Sequence, residues 1–193
     1  MLKYFPNRCN GTFLELGALD GKMVSNSFAF ESIGWKGMCI EANPRLFKSL
    51  LNNRPACVNV NALISTSNSK VEDYLMNSNP GYNGLSRLRN AKKLANEKIS
   101  TVDSVKMKTS RLDFVFAKHG ITHVDFFSLD VEGAEMEVLQ SINFDKVTFG
   151  VFLIEGGNTT LIRGLMERNG YVNRGFVPTV PWDFVWVHRC MDN

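Results

Sequence analysis

No apolar run in this chain approaches the ~20 residues that a membrane-spanning helix requires. The opening, MLKYFPNRCNG, is too polar for a secretory leader. Histidine is scarce. The four cysteines, Cys9, Cys39, Cys57 and Cys190, are widely spaced, with no CxxC pair and no zinc-like pattern. They read as reduced thiols of a cytoplasmic protein, with Cys39 and Cys57 inside apolar runs and therefore core. Internal repeats, low-complexity tracts and linkers are missing as well. A dinucleotide fingerprint starting at Gly17 needs further glycines where Leu19 and Lys22 stand, so that fingerprint fails.

What is there fits one globular domain spanning 1–193, with 44% hydrophobic and 21% charged residues. Net charge is +3, yet residues 87–111 hold eight Lys/Arg against Glu97 and Asp103, a local +6 that leaves the remainder at −3. Two readings stand: a solvated face, or a patch for an anionic partner such as a phosphorylated glycan, a nucleotide sugar or RNA.

Short apolar strands alternate with amphipathic helices. TFLELGAL, GMCIEA, CVNVNALI, VDFFSLD and TFGVFLIE read as buried strands. Between them lie a helix with Val24, Phe28, Ala29 and Ile33 on one face, and NPRLFKSLLNNRP, capped by Asn43 with Pro44 in its first turn. RLDFVFAKHG is helical with Gly120 as its stop, and TTLIRGLMERNG is capped by Asn158 with Leu161, Ile162, Leu165 and Met166 inward. KVEDYLM reads as a short helix, SVKMKT as a strand, SNPGYNGLS as loop, and GYVNRGF with DFVWVHR as two closing antiparallel strands. This is the α/β pattern of a mostly parallel sheet with helices on both faces.

In such sheets ligands bind beyond the carboxyl ends of the strands. Acids gather at that edge: Glu15 and Asp20 around the first strand, Glu41 after the second, Asp130 and Glu132 after the fourth, Glu155 after the fifth. Gly17 and Gly21 allow a tight turn and close backbone approach. Glu41 is placed to accept the hydroxyls of an adenosine ribose, Asn61 to read a base edge, and Ala62 and Leu63 to wall it; a capping acid and a plain strand end are the bland alternatives. Asp130, Glu132 and Glu155 are the candidate catalytic groups, or the oxygen ligands of a divalent cation. Glu135 reads as helix-dipole electrostatics. His119, His123 and His188 read as structural. Trp182 reads as core or as a wall of the acceptor pocket.

FLELGALDG, SNSFAFE, GWKGMCIEANP, NRPACVNVNALIS and above all LDVEGAE resemble the FkbM family of S-adenosylmethionine-dependent methyltransferases, over about Thr12 to Arg189. The resemblance implies a class I methyltransferase (Rossmann-like) sheet of seven strands, one of them antiparallel. It implies a cofactor site from Glu15, Gly17, Ala18, Asp20, Gly21, Asn26, Glu41, Ala42, Asn61, Ala62, Leu63 and Asp130. It also implies O-methylation of a hydroxyl on a small molecule or glycan, with Tyr82, Ser86 and Arg87 of GYNGLSRLRN in a segment close to substrate. Two alternatives remain open: an RNA cap ribose enzyme that uses the basic stretch, and a non-catalytic domain that binds the cofactor.

Overall fold

The computed structural model describes residues 2–6, 8–88, 98 and 100–191. The main sheet is built from β1 (Thr12–Leu16), β2 (Lys36–Glu41), β3 (Val58–Asn61), β8 (His123–Leu129), β9 (Thr148–Glu155), β10 (Tyr171–Val177) and β11 (Val180–His188), in the order β10-β11-β9-β8-β1-β2-β3. All neighbours are parallel except at β11, which runs against both β9 and β10. The order reverses beside β1, so the crevice beyond its carboxyl end is the switch point where a ligand is expected. Seven strands with one reversed make this a class I methyltransferase sheet.

Helices α1 (Phe28–Ser32), α2 (Pro44–Asn53), α3 (Leu112–His119), α4 (Glu135–Gln140) and α5 (Thr160–Arg168) connect the strands. The strands read as continuous apolar runs because both faces are covered. Alternate residues enter opposite cores: Leu14, Phe127, Phe152 and Ile154 one, Phe13, Phe126, Val151 and Leu153 the other. Asn43 caps α2 by accepting from the N–H groups of Arg45 and Leu46, with Pro44 at the first position. Gly120 closes α3 in the left-handed region, at φ +67°.

A smaller sheet lies between β3 and α3. It joins β4 (Leu63–Ile64), β5 (Val71–Asn77), β6 (Gly84–Leu85) and β7 (Thr101–Ser110) in the order β4-β7-β5-β6. SVKMKT is a strand as expected. KVEDYLM is not the short helix its composition suggests: it pairs antiparallel with β7, from Val71↔Lys108 to Asn77↔Thr101, which puts Tyr74 and Met76 inward. Ladder pairing and that buried alternation outweigh local propensity.

Other details depart from expectation. Val24 and Ile33 are exposed, α1 is little more than one turn, and Phe30 is its buried residue. Thr159, not Asn158, caps α5, accepting from Ile162 N–H, and Leu161 faces solvent. Trp182 is exposed rather than core, and it lines neither cavity described below. Cys39 and Cys57 are core, but they are joined as a disulfide with Cα atoms 6.2 Å apart. The expectation of reduced thiols therefore fails at these two positions. Among the described residues no helix is long and apolar enough to cross a membrane.

Candidate functional site

The turn after β1 is fixed by contact with its neighbours. The N–H groups of Gly17 and Ala18 both donate to Ile40 O, and Asp130 N–H donates to Leu16 O. Gly17 has φ +89°, and a Cβ there would lie 1.7 Å from Asp130 O. Glycine is thus required for the ends of β1 and β8 to touch. Gly21 has φ +86° and packs so closely that a Cβ would meet Leu50 and Arg54. It lines neither cavity described below. Asp20 likewise folds its own loop, accepting from the N–H groups of Lys22 and Met23.

Glu15 organises the next segment from beneath. Its carboxylate accepts from Asn26 N–H at 2.8 Å and from the hydroxyls of Ser25 and Ser27 at 2.7 and 2.8 Å. Fully buried Arg54 pairs with Glu15 and Glu31, and donates to Gly21 O and Ser27 Oγ. A buried guanidinium needs such pairing, because an unpaired charge in the interior is severely destabilising. Asn26 then reaches across, donating from Nδ2 to Ser128 Oγ at 3.1 Å. Glu15, Ala18, Asn26 and Ser128 line a narrow cavity beside Gly17 and Asp130.

That cavity adjoins a larger one, the two sharing Leu16, Gly17, Leu19, Val24 and Asp130. The larger is lined by Glu41, Ala42 and Ala62, by Leu63, Tyr74 and Leu85 of the smaller sheet, and by Asn83 just before β6. Val131, Glu132 and Ala134 line it as well. It is mostly apolar with few polar groups, as small-molecule sites are. Glu41 is buried, accepting from Leu19 N–H and Asn43 N–H at 2.8 and 2.7 Å. Burial pushes its carboxyl up to about 7, against the lowering effect of those bonds. Asn61 does not line the cavity; its amide donates to Glu41 O and Ala42 O and ties β3 to β2.

Asp130, Glu132 and Glu155 come together at the mouth, each offering a carboxylate oxygen within 4.8 Å of the others. A fourth acid, Asp183, joins them: antiparallel register sets it directly beside Glu155. Burial, then the charge of Glu155, pushes Asp183 up to about 6. Burial holds Asp130 well above the usual carboxylate range, with further contributions from Glu155, Glu132 and Asp183. Glu132 sits at φ +58° and Gly133 at +100°, a turn that Glu135 secures. Buried Glu135 accepts from Val131 N–H and Gly133 N–H at 3.1 and 3.0 Å, a structural duty beyond helix electrostatics. Three carboxylates are a hard oxygen donor set, suited to Mg²⁺, Mn²⁺ or Ca²⁺ rather than to a soft metal.

The 80–88 segment reaches the larger cavity through Pro80, Asn83, Gly84 and Leu85, not through Tyr82 or Arg87. Arg87 turns outward to Glu137 and Glu72, at 2.7 and 3.3 Å. The backbone of Ser86 lies in the same short turn. Much of the basic stretch falls outside the described residues. Within them, Lys106 pairs with Asp73 and Arg111 with Asp113.

Sequence reasoning overlooked Arg54, Asn83 and Asp183 and misjudged Glu135. Arg54 looks like a solvated helix end, and Asp183 becomes visible only once the register of β11 on β9 is known. A signal for Glu135 was present, an acid two residues after the glycine of a turn.

Several solved structures are similar to the chain at low identity, with TM-scores under 0.5. A fibrillarin pre-rRNA processing protein of Methanococcus jannaschii is 14% identical, over 95% of this chain and 68% of its own, with TM-score 0.48. A precorrin-6y C5,15-methyltransferase of Geobacter metallireducens is 10% identical over 97% and 86%, TM-score 0.49. A ribosomal protein L11 methylase of Lactobacillus delbrueckii subsp. bulgaricus is 9% identical over 97% and 74%, TM-score 0.49. No curated protein sequence matches the chain significantly. The family model "Methyltransferase FkbM domain" matches residues 15–172, from the Glu15 network through the acidic mouth, and the chain belongs to that family of S-adenosylmethionine-dependent methyltransferases.

Proposed function

We propose that the protein transfers the methyl group of S-adenosylmethionine to a hydroxyl oxygen of a small molecule or glycan. The observation that carries this reading is the cluster of Asp130, Glu132 and Glu155, of which Asp130 lines both cavities and Glu132 the larger. The larger cavity takes the nucleoside, with Glu41 at the ribose and Ala42, Ala62 and Leu63 against the base. The narrow one takes the methionine end, beside Asn26. The sulfonium then lies next to Asp130, where carboxylates complement its charge.

Methyl transfer from a sulfonium is an in-line displacement that needs positioning and a place for the acceptor's proton. The hydroxyl oxygen attacks the methyl carbon, the carbon–sulfur bond breaks with its electron pair going to sulfur, and the proton passes to a carboxylate. Glu132 is assigned as that base; Asp130 orients the cofactor, and Glu155 with Asp183 sets the local charge. A divalent cation held by Asp130, Glu132 and Glu155 would supply Lewis-acid polarisation of the acceptor oxygen. Turnover unchanged by a chelator rules that addition out.

An acidic mouth favours a neutral acceptor over a polyanion, and the described arginines of the basic stretch are already paired. This supports a small molecule or glycan above RNA. The test is incubation with labelled S-adenosylmethionine and separate pools of oligosaccharides, small phenols and capped RNA. Label in the first two is expected, and label in RNA alone overturns the acceptor assignment. A domain that binds cofactor without turnover would show calorimetric binding and no labelled product in any pool.

A further inference from the structure

We infer that the side-chain amide of Asn83 reads the adenine edge of the cofactor, donating a hydrogen bond from Nδ2 to a ring nitrogen. The inference rests on the cofactor placement proposed above and adds a base-recognition residue to it. Asn83 is 5% exposed and lines the larger cavity, whose nearby walls include Ala42, Leu63, Leu85 and Val131. Its Oδ1 accepts from Asn77 N–H at 2.7 Å. That bond fixes which way the amide faces, since a flipped NH₂ would oppose another donor. Nδ2 has no hydrogen-bond partner among the described residues. A buried donor left without an acceptor is costly, so a ligand that supplies one gains roughly 10-fold or more in affinity.

The position is held by strand pairing, with Asn77 ending β5 and Tyr74↔Leu85 and Leu75↔Gly84 in register just after Asn83. The side chain first expected to read the base, Asn61, has its amide committed to two backbone carbonyls. A group that offers only N–H donors suits adenine, whose ring nitrogens N1, N3 and N7 are all acceptors.

The test is calorimetric titration with S-adenosylhomocysteine of the wild-type protein and of Asn83→Asp. The substitution keeps an oxygen for Asn77 N–H and replaces the donor with an acceptor. Binding about 10-fold weaker is expected, with thermal melting confirming that the variant is folded. On the unaltered protein, one of the 1-deaza, 3-deaza and 7-deaza analogues should bind about 10-fold more weakly than the parent and lose nothing further on Asn83→Asp. Equal affinity of the wild type for all three analogues and the parent overturns the inference. So does a variant with unchanged S-adenosylhomocysteine affinity and a raised acceptor KM, which would assign the amide to the acceptor. A wild type that binds no S-adenosylhomocysteine defeats the cofactor placement itself, a separate outcome.

Discussion

At Gly17 the constraint is steric: any Cβ would overlap the Asp130 carbonyl, and the backbone is left-handed there. Gly17→Ala is expected to destabilise the fold by more than about 3 kcal/mol, the scale of clashes that a packed interior cannot relax. Urea unfolding measures it, and a loss under about 1 kcal/mol would mean that the two strand ends can separate freely. At Glu132 the constraint is chemical. Glu132→Gln keeps the shape of the turn and removes the proposed proton acceptor, so kcat should fall about 10²- to 10³-fold with S-adenosylhomocysteine affinity nearly unchanged. Glu135→Gln separates the two roles: it retains a carbonyl oxygen for Val131 and Gly133, and melting and turnover should stay close to wild type. Glu135→Ala leaves both N–H groups unmatched and should cost about 1–3 kcal/mol.

At the scale of elements, the disulfide ties β2 to the start of β3 across a separation of 18 residues. Closing a loop of that size stabilises by about 3 kcal/mol through the entropy of the unfolded chain. Reductant, or Cys57→Ser, should therefore lower the unfolding free energy by a similar amount; denaturation curves that coincide with and without reductant would refute it. Bonding of this pair was not legible from spacing, because proximity comes from the β2–β3 register. The main sheet was legible for the opposite reason. Residues such as Phe126 and Phe127 are both buried, on opposite faces, and such runs stand out in any window. The acids after those runs could be assigned to one edge on topology alone, which is why Asp130, Glu132 and Glu155 were recognised together. The smaller sheet was half legible: SVKMKT alternates visibly, whereas KVEDYLM becomes a strand through the ladder it makes with a distant segment. Asn83 and Asp183 depend on such ladders too, and residue type alone does not distinguish them from loop polar groups.

Over the whole molecule, buried carboxyls set the response to pH. The folded protein holds Asp183 at about 6, Glu41 at about 7 and Asp130 higher than its ordinary value. Protons on these groups are bound by the native chain above pH ~4.5 and released on unfolding, so stability falls as pH rises through the folded values. For Glu41 alone the displacement corresponds to on the order of 3 kcal/mol. Asp125, Glu72 and Glu137 are shifted the other way: desolvation of Asp125 is outweighed by hydrogen bonds to Thr12, His123 and Arg8, Glu72 is held down by Lys70 and Arg87, and Glu137 by Arg87 and Ser65. Their contribution is present above the unfolded carboxylate values and lost as pH falls. The ligand-free melting temperature should thus peak near pH ~5 and decline toward pH ~9. S-adenosylmethionine carries a positive sulfonium and S-adenosylhomocysteine a neutral sulfide, so the former favours ionised carboxylates at the mouth and expels their protons. The ratio of the two affinities should move toward S-adenosylmethionine as pH rises from about 6 to 9. In the proposed placement Glu41 faces the nucleoside that both ligands share and cancels from that ratio. Titrations across this range, repeated on Asp183→Asn, check the assignment. A ratio independent of pH would place the sulfonium away from the acidic mouth and take the proposed reaction centre with it.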